Sequence, residues 1–131
     1  MATPTTTTTV IATCAPKSAL EARPLLSPPE AARLAATFKV LANDTRLRLL
    51  HALARAGELC VTDLAAQAGM GIPAVSNQLA RLQDQRILAA RRDGNRIYYR
   101  ITDPCVTQLL ELGWCLTEDT AAVAVQAAVA R

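Results

Sequence analysis

The feature that most limits how this chain can fold is a change in the spacing of its apolar residues at Ile87-Leu88. Before that point they recur every three to four positions, and after it at every second position. The first spacing lines one face of a helix and the second lines one face of a strand. Residues 88–92 and 96–101 therefore read as two strands around Asp93-Gly94-Asn95, a strong hairpin signal. A lone hairpin is marginal in water and has to be supported by other elements. Those elements are helices, because aromatic residues make up only 3% of the chain and the 51% hydrophobic content is dominated by Ala and Leu. A length of 131 residues gives room for one domain.

The helices announce their own ends. Ser27-Pro28-Pro29-Glu30 supplies an N-cap serine, a proline at the first helical position and a glutamate placed to close a capping box. Ala31, Leu34, Phe38 and Leu41 then repeat at helical spacing and define one buried face. Asn43 caps a second helix with Leu47, Leu50 and Leu53-Ala54 on one side, and Gly57 ends it. A short third helix covers residues 62–68, Gly69-Met70-Gly71 makes a tight turn, and a fourth helix runs from Ile72 to about Gln85. Pro73 is tolerated because it falls in that helix's first turn. Asp103-Pro104 opens a last helix with Val106, Leu109, Leu110, Gly113 and Leu116 on one stripe. The predicted architecture is mainly α with a small β-hairpin, in the order α-α-α-α-β-β-α. Residues 1–26, with a threonine tract and three of the seven prolines, are expected to be a disordered arm. Residues 27–119 form the folded domain, and residues 120–131 are an alanine-rich tail that either extends the last helix or frays.

A short helix, a glycine turn, a second helix and an arginine-rich hairpin together make a device for reading DNA, a winged helix-turn-helix. The second helix of such a pair lies in the major groove and presents its N-terminal side chains to base edges. Val75, Leu79 and Leu82 point inward, which leaves Ile72, Pro73, Ser76, Asn77 and Gln78 facing out. Asn and Gln pair bidentately with adenine, and Ser donates or accepts. Arg81 and Arg86, further along, are placed for phosphates. The hairpin tip carries Arg91, Arg92 and Arg96, which suit phosphate or a narrow minor groove. Six arginines against two aspartates in residues 81–100 give a local charge of +4, where the whole chain has +3. Lys17 and Lys39 are the only lysines, so nearly all the basicity is guanidinium, whose fixed fork matches phosphate and guanine. The expected partner is double-stranded operator DNA.

No run approaches the ~20 apolar residues that span a bilayer, and the first residues show no secretion signal, so a cytoplasmic chain with no membrane partner is expected. Four widely spaced cysteines in such a chain are expected to be reduced thiols.

Four segments resemble one family. They are Val40-Leu41-Ala42-Asn43-Asp44-Thr45-Arg46-Leu47-Arg48-Leu49-Leu50, Glu58-Leu59-Cys60-Val61-Thr62-Asp63-Leu64-Ala65, Ala74-Val75-Ser76-Asn77-Gln78-Leu79 and Gly94-Asn95-Arg96-Ile97-Tyr98-Tyr99. Together they are similar to the ArsR/SmtB family of metal-responsive repressors over roughly residues 30–118. The resemblance implies a homodimer with its first and last helices at the interface. It also implies that operator DNA is bound without metal and released when metal binds.

Under that resemblance the cysteines become candidate ligands. Cys60 stands where the family's Glu-Leu-Cys-Val-Cys-Asp-Leu motif has its first cysteine, and Thr62 replaces the second. Asp63 could add an oxygen ligand on the same face, and Cys14 a sulfur from the other subunit's arm. The alternative for Cys60 is a small buried hydrophobe at a helix start. Asp103 matches the first ligand of the family's last-helix site, and Cys105 takes the place of a histidine. Cys115 and Glu118 fall one residue earlier than the later ligand pair. Ten residues of helix span ~15 Å, whereas two thiolates on one ion lie only ~4 Å apart. Cys105 and Cys115 therefore cannot chelate one ion within a chain, but can meet across a two-fold axis. Sulfur ligands favour Hg(II), Cd(II), Pb(II), As(III) or Cu(I) as the effector. His51, the only histidine, is expected to be a structural or surface residue. Two other readings stay open: a repressor of the same fold that senses redox state or persulfide through a cysteine pair, and, remotely, a thiol enzyme, for which His51 is the sole candidate base. The expected protein is not an enzyme.

Overall fold

A computed structural model describes residues 17–129. The chain divides into two compact units, one covering residues 15–102 and the other carrying the C-terminal helix.

The first unit starts with a single exposed 3-10 turn, Leu20–Ala22, inside the stretch expected to be a disordered arm; the threonine tract lies outside the described residues. Helix α1 (Pro28–Leu41) begins at the predicted cap. The Glu30 backbone N–H donates to the Ser27 hydroxyl at 3.3 Å and the Ser27 N–H donates to the Glu30 carboxylate at 3.0 Å. Helix α2 (Asp44–Ala56) is capped by Asn43, whose side-chain oxygen accepts from Arg46 N–H at 3.0 Å. A two-residue strand, β1 (Leu59–Cys60), leads into α3 (Val61–Ala68). After the turn comes α4 (Ile72–Asp84), then β2 (Leu88–Asp93) and β3 (Arg96–Ile101).

The sheet is antiparallel in the order β1-β3-β2, with Asp93 opposite Arg96 at the tip and Leu59 opposite Tyr99 at the other edge. β1 adds a strand to the predicted order; two residues are too few to show an alternating pattern. Gly94 has φ +61 while Asn95 keeps a negative φ, the sign pattern of a type II′ turn, whose twist suits a hairpin. α2 packs on α3, α4 and β3, and the architecture is a winged helix-turn-helix.

The core lies where these helices meet. Leu49, Leu50 and Leu53 of α2, Leu64 of α3, and Val75, Leu79 and Leu82 of α4 are completely or almost completely buried. The buried stripe of α2 thus includes Leu49 instead of the predicted Leu47 and Ala54, both of which face solvent. On α1 only Leu41 is buried, and Phe38, predicted to be core, is 48% exposed. The helical spacing on α1 implies a buried face, and in the protomer that face stays largely uncovered.

The end of α4 contains the one non-glycine residue with positive φ among the described residues, Arg86 at φ 59. Its N–H donates to the Gln83 carbonyl and Ile87 N–H reaches back to the Leu82 carbonyl, closing the helix and turning the chain into β2.

In the second unit, α5 (Pro104–Val129) runs without a break, so the alanine-rich segment through residue 129 continues the helix. Asp103 accepts from Cys105 N–H at 2.8 Å at its start. Leu112, Trp114 and Leu116 are each about two-thirds exposed, Leu116 being part of the apolar stripe read from the sequence.

Leu79 anchors α4 from the middle of its apolar stripe. Leu79→Ala should lower stability by about 2–5 kcal/mol in urea unfolding, with the cost growing with the cavity left behind. A loss under about 1 kcal/mol would mean that α4 is not packed as described.

Candidate nucleic-acid interface and thiol groups

The helix pair is set by its turn. Gly69 takes a left-handed conformation, φ 66 and ψ 37, that ends α3, a conformation any side chain makes costly. Gly71 then serves as N-cap of α4, its carbonyl accepting from Val75 N–H at 3.1 Å, and Pro73 sits in the first turn where its missing N–H costs nothing. With Val75, Leu79 and Leu82 sealed inside, Ile72, Pro73, Asn77 and Arg81 are exposed, while Ser76 and Gln78 are half-buried. The predicted base-reading residues therefore occupy the part of α4 outside its buried stripe, with Ser76 and Gln78 at the two flanks of that stripe.

Gln78 is held. Arg46 Nε donates to its amide oxygen at 2.7 Å, and Arg46 Nη1 donates to the Val40 carbonyl at 2.9 Å. Sequence reasoning did not single out Arg46, because nothing in local spacing signals a partner 32 residues away.

The wing separates its arginines by strand alternation. Arg91 lies opposite Tyr98 and Arg92 opposite Ile97, so neighbouring side chains leave opposite faces of the ribbon. Arg91, expected to grip phosphate, instead donates to both Glu58 carboxylate oxygens, with Nε at 2.8 Å, and its guanidinium stands 4.7 Å from the Tyr98 ring centre. Among the described residues the wing's ion pairs all fall on Arg91 and leave Arg92 and Arg96 exposed. Glu58 was also missed, since a single carboxylate before a two-residue strand carries no pattern. The hydrogen bond from Arg91 holds the Glu58 carboxyl below its ordinary 4.5, and Glu58 in turn raises Arg91.

The thiols differ in surroundings. Cys60 is a free thiol, 2% exposed at the N-cap of α3, and its Sγ donates to Asp63 Oδ2 at 3.2 Å. Cys115 is free and exposed on α5, with Sγ 3.8 Å from Asp119 Oδ2. Cys105 is half-buried and disulfide-bonded, which corrects the expectation of four reduced thiols. Cys14 lies outside the described residues. Among the described residues no three His, Cys, Asp or Glu side chains gather into a set that could hold a metal. Cys105 and Cys115 sit ~15 Å apart along one continuous helix. An ion held by these thiols therefore needs a donor from another protomer or from outside the described residues. His51 is exposed on α2. No described helix is long and apolar enough to cross a membrane.

This arrangement has known relatives. The model of the bacterial regulatory protein arsR family matches residues 43–90, from the α2 cap to the middle of the first wing strand. A solved structure, the AntR antimony-specific transcriptional repressor, is 61% identical with a TM-score of 0.71, covering 84% of this chain and 99% of that one. The chain belongs to the ArsR family. A transcriptional repressor SmtB homolog from Synechocystis is 45% identical over 85 residues, 65% of this chain and 64% of that protein, so the match spans just under two thirds of its length. The homodimeric winged helix-turn-helix DNA-binding domain of a possible ArsR-family regulator from Mycobacterium bovis is 34% identical with a TM-score of 0.63, covering 74% of this chain and 92% of that one. Further ArsR-family relatives are named as arsenic, mercury and cadmium resistance regulators. The family's members are transcriptional regulators, and the architecture found here is theirs.

The Glu58–Arg91 tie has a defined pH range. A carboxyl held below its ordinary value in the folded state stabilises the fold above about pH 4.5 and loses that contribution as pH falls through the folded value. Carbon-13 titration of the Glu58 carboxyl should give a midpoint below 4.5 that returns to about 4.5 in Arg91→Met. An identical midpoint in both proteins would show that Arg91 does not hold Glu58 in solution.

Proposed function

We propose that the protein is a repressor that binds operator DNA as a homodimer and releases it when cysteine thiolates take up a soft metal or metalloid ion. Antimony(III) leads the candidates, because the solved relative at 61% identity is described as antimony-specific. Hg(II), Cd(II), Pb(II) and As(III) share the same preference for sulfur. The observation that carries the DNA reading is the outward surface of α4, with Ile72, Pro73, Ser76, Asn77 and Gln78 beside a wing whose Arg92 and Arg96 are uncommitted to carboxylates.

Homodimer formation is supported by the apolar residues each protomer leaves uncovered on α1 and α5, Leu34, Phe38, Leu112, Trp114 and Leu116. Antiparallel pairing of α5 with its copy would bring Cys105 of one protomer toward Cys115 of the other, giving two equivalent sites. Cys14 is a further sulfur donor. Cys60 is the weakest of the four candidates, since its sulfur is sealed and hydrogen-bonded to Asp63.

Each thiol that ligates gives up its proton, so affinity for the ion rises with pH. Two recognition helices must read half-sites about 34 Å apart, so ligation that shifts one protomer against the other disturbs the fit at both. The ion has to favour the non-binding arrangement by several kcal/mol to empty the operator.

A second reading keeps the fold and changes the signal to thiol oxidation. The disulfide at Cys105 favours it, because two sulfurs close enough to bond form a reversible switch.

The test is fluorescence anisotropy of reduced full-length protein on its promoter DNA, titrated with antimony(III), arsenic(III), cadmium and mercury. Release by the ion, abolished in Cys105→Ser and Cys115→Ser with DNA affinity retained, is the expected result. Affinity unchanged at saturating ion sinks the metal reading, and release by mild oxidant alone selects the redox one.

The wing gives a separate expectation. Arg92→Gln with Arg96→Gln should weaken DNA binding and lower the slope of log affinity against log salt by about 2 per protomer, one for each phosphate no longer neutralised. An unchanged slope would remove the wing from the interface.

A further inference from the structure

Arg46 leaves the first turn of α2 at a fixed place, because the Asn43 side chain caps its N–H. Its planar guanidinium then makes two bonds in different directions. Nη1 donates to the carbonyl of Val40, one of the last-turn acceptors of α1 that have no helical partner. Nε donates to the amide oxygen of Gln78, half-buried at the edge of the apolar stripe of α4. One side chain thus joins the end of α1, the start of α2 and the middle of α4, and it is half-buried, so these bonds are partly shielded from competing water.

The chemistry fixes which way Gln78 faces. A guanidinium nitrogen can only donate, so the atom against it is the amide oxygen and not the amide nitrogen. The Gln78 NH2 group is therefore turned away from Arg46 and left to donate. Among the predicted base-reading side chains, Asn77 is exposed without such a tether, while Gln78 has its rotamer set before any partner arrives. Ordering a free glutamine on binding costs conformational entropy, and a side chain already held avoids that cost.

We propose that Arg46 is a positioning residue for DNA reading, which holds Gln78 by its oxygen so that its NH2 group meets a base-edge acceptor in the major groove. The acceptors with the right chemistry are purine N7, guanine O6 and thymine O4. Arg46 itself touches no DNA in this arrangement. The inference rests on the DNA-binding reading above.

The test selects binding sites from duplexes randomised over about 30 base pairs, long enough for two half-sites one helical turn apart. Wild-type reduced protein, Arg46→Met, Gln78→Met and the double variant are compared by base frequencies and by anisotropy on the selected sequence. Gln78→Met should flatten the preference at one base pair per half-site by roughly tenfold, typical of removing one side chain that reads a base edge. Arg46→Met should flatten the same base pair by a similar factor, and the double variant should be no worse than either single one. The salt slope of Arg46→Met should match wild type. Should Arg46→Met not fold, Arg46→Lys, which keeps the charge but loses the planar fork, carries the same cycle.

Preference intact in the Arg46 variant, losses that multiply in the double variant, or a salt slope reduced by about one overturns the proposal; the last would make Arg46 a phosphate ligand. Wild-type protein that enriches no sequence overturns the DNA reading itself. Enrichment by wild type with an indifferent Arg46 variant overturns only the role given to Arg46.

Discussion

What the molecule can offer a duplex depends on the burial of Val75, Leu79 and Leu82 against α2 and α3. These residues sit at spacings of four and three, so sealing them fixes the rotation of α4 about its axis. Turning the helix by one residue, about 100°, would drive Ser76 and Gln83, or Gln78 and Arg81, into a core lined by leucines. An unpaired polar group there costs about 1–3 kcal/mol, and each leucine lifted into water about as much again. The recognition surface is thus chosen by the side of the helix that is hidden. Gly69 and Gly71 then set where that helix starts relative to α3.

Much of this was legible in the sequence because it is local. The Ser27–Glu30 capping box, the Asn43 cap, the glycine turn and the Asp93-Gly94-Asn95 hairpin all depend on residues within a few positions of one another. What escaped depends on distant partners. β1 exists only because β3 offers a ladder at Tyr98 and Tyr99. Arg91 reads as a phosphate ligand, and its ion pair with Glu58, 33 residues earlier, has no local signal. Leu47 and Leu49 both suit a helix, and only the positions of α3 and α4 decide that Leu49 is the one buried.

The apolar faces of α1 and α5 teach a related point. Phe38 and Leu116 fall on stripes of helical spacing yet remain largely exposed, and Leu112 and Trp114 are exposed beside them on α5. Apolar periodicity records burial in the state under selection, and for a chain that works as an assembly that state contains more than one copy. The proposed homodimer resolves the discrepancy without any change to the fold of the protomer. It also explains why a helix as long as α5 can carry bulky apolar residues outward without being a membrane span.

The same logic sorts the thiols. At Cys60 the sulfur is enclosed and donates to the Asp63 carboxylate at 3.2 Å. That environment makes Cys60 a space-filling residue at the junction of β1 and α3. On α5 the opposite holds. Cys115 stands in solvent, and Cys105 is disulfide-bonded. A responsive site needs sulfur that can lose its proton without first opening the core, and it needs that sulfur on an element whose movement reaches the DNA-reading surface. Under the proposed homodimer the exposed sulfur of α5 meets the first condition, because an ion captured at Cys115 would leave the leucine core intact.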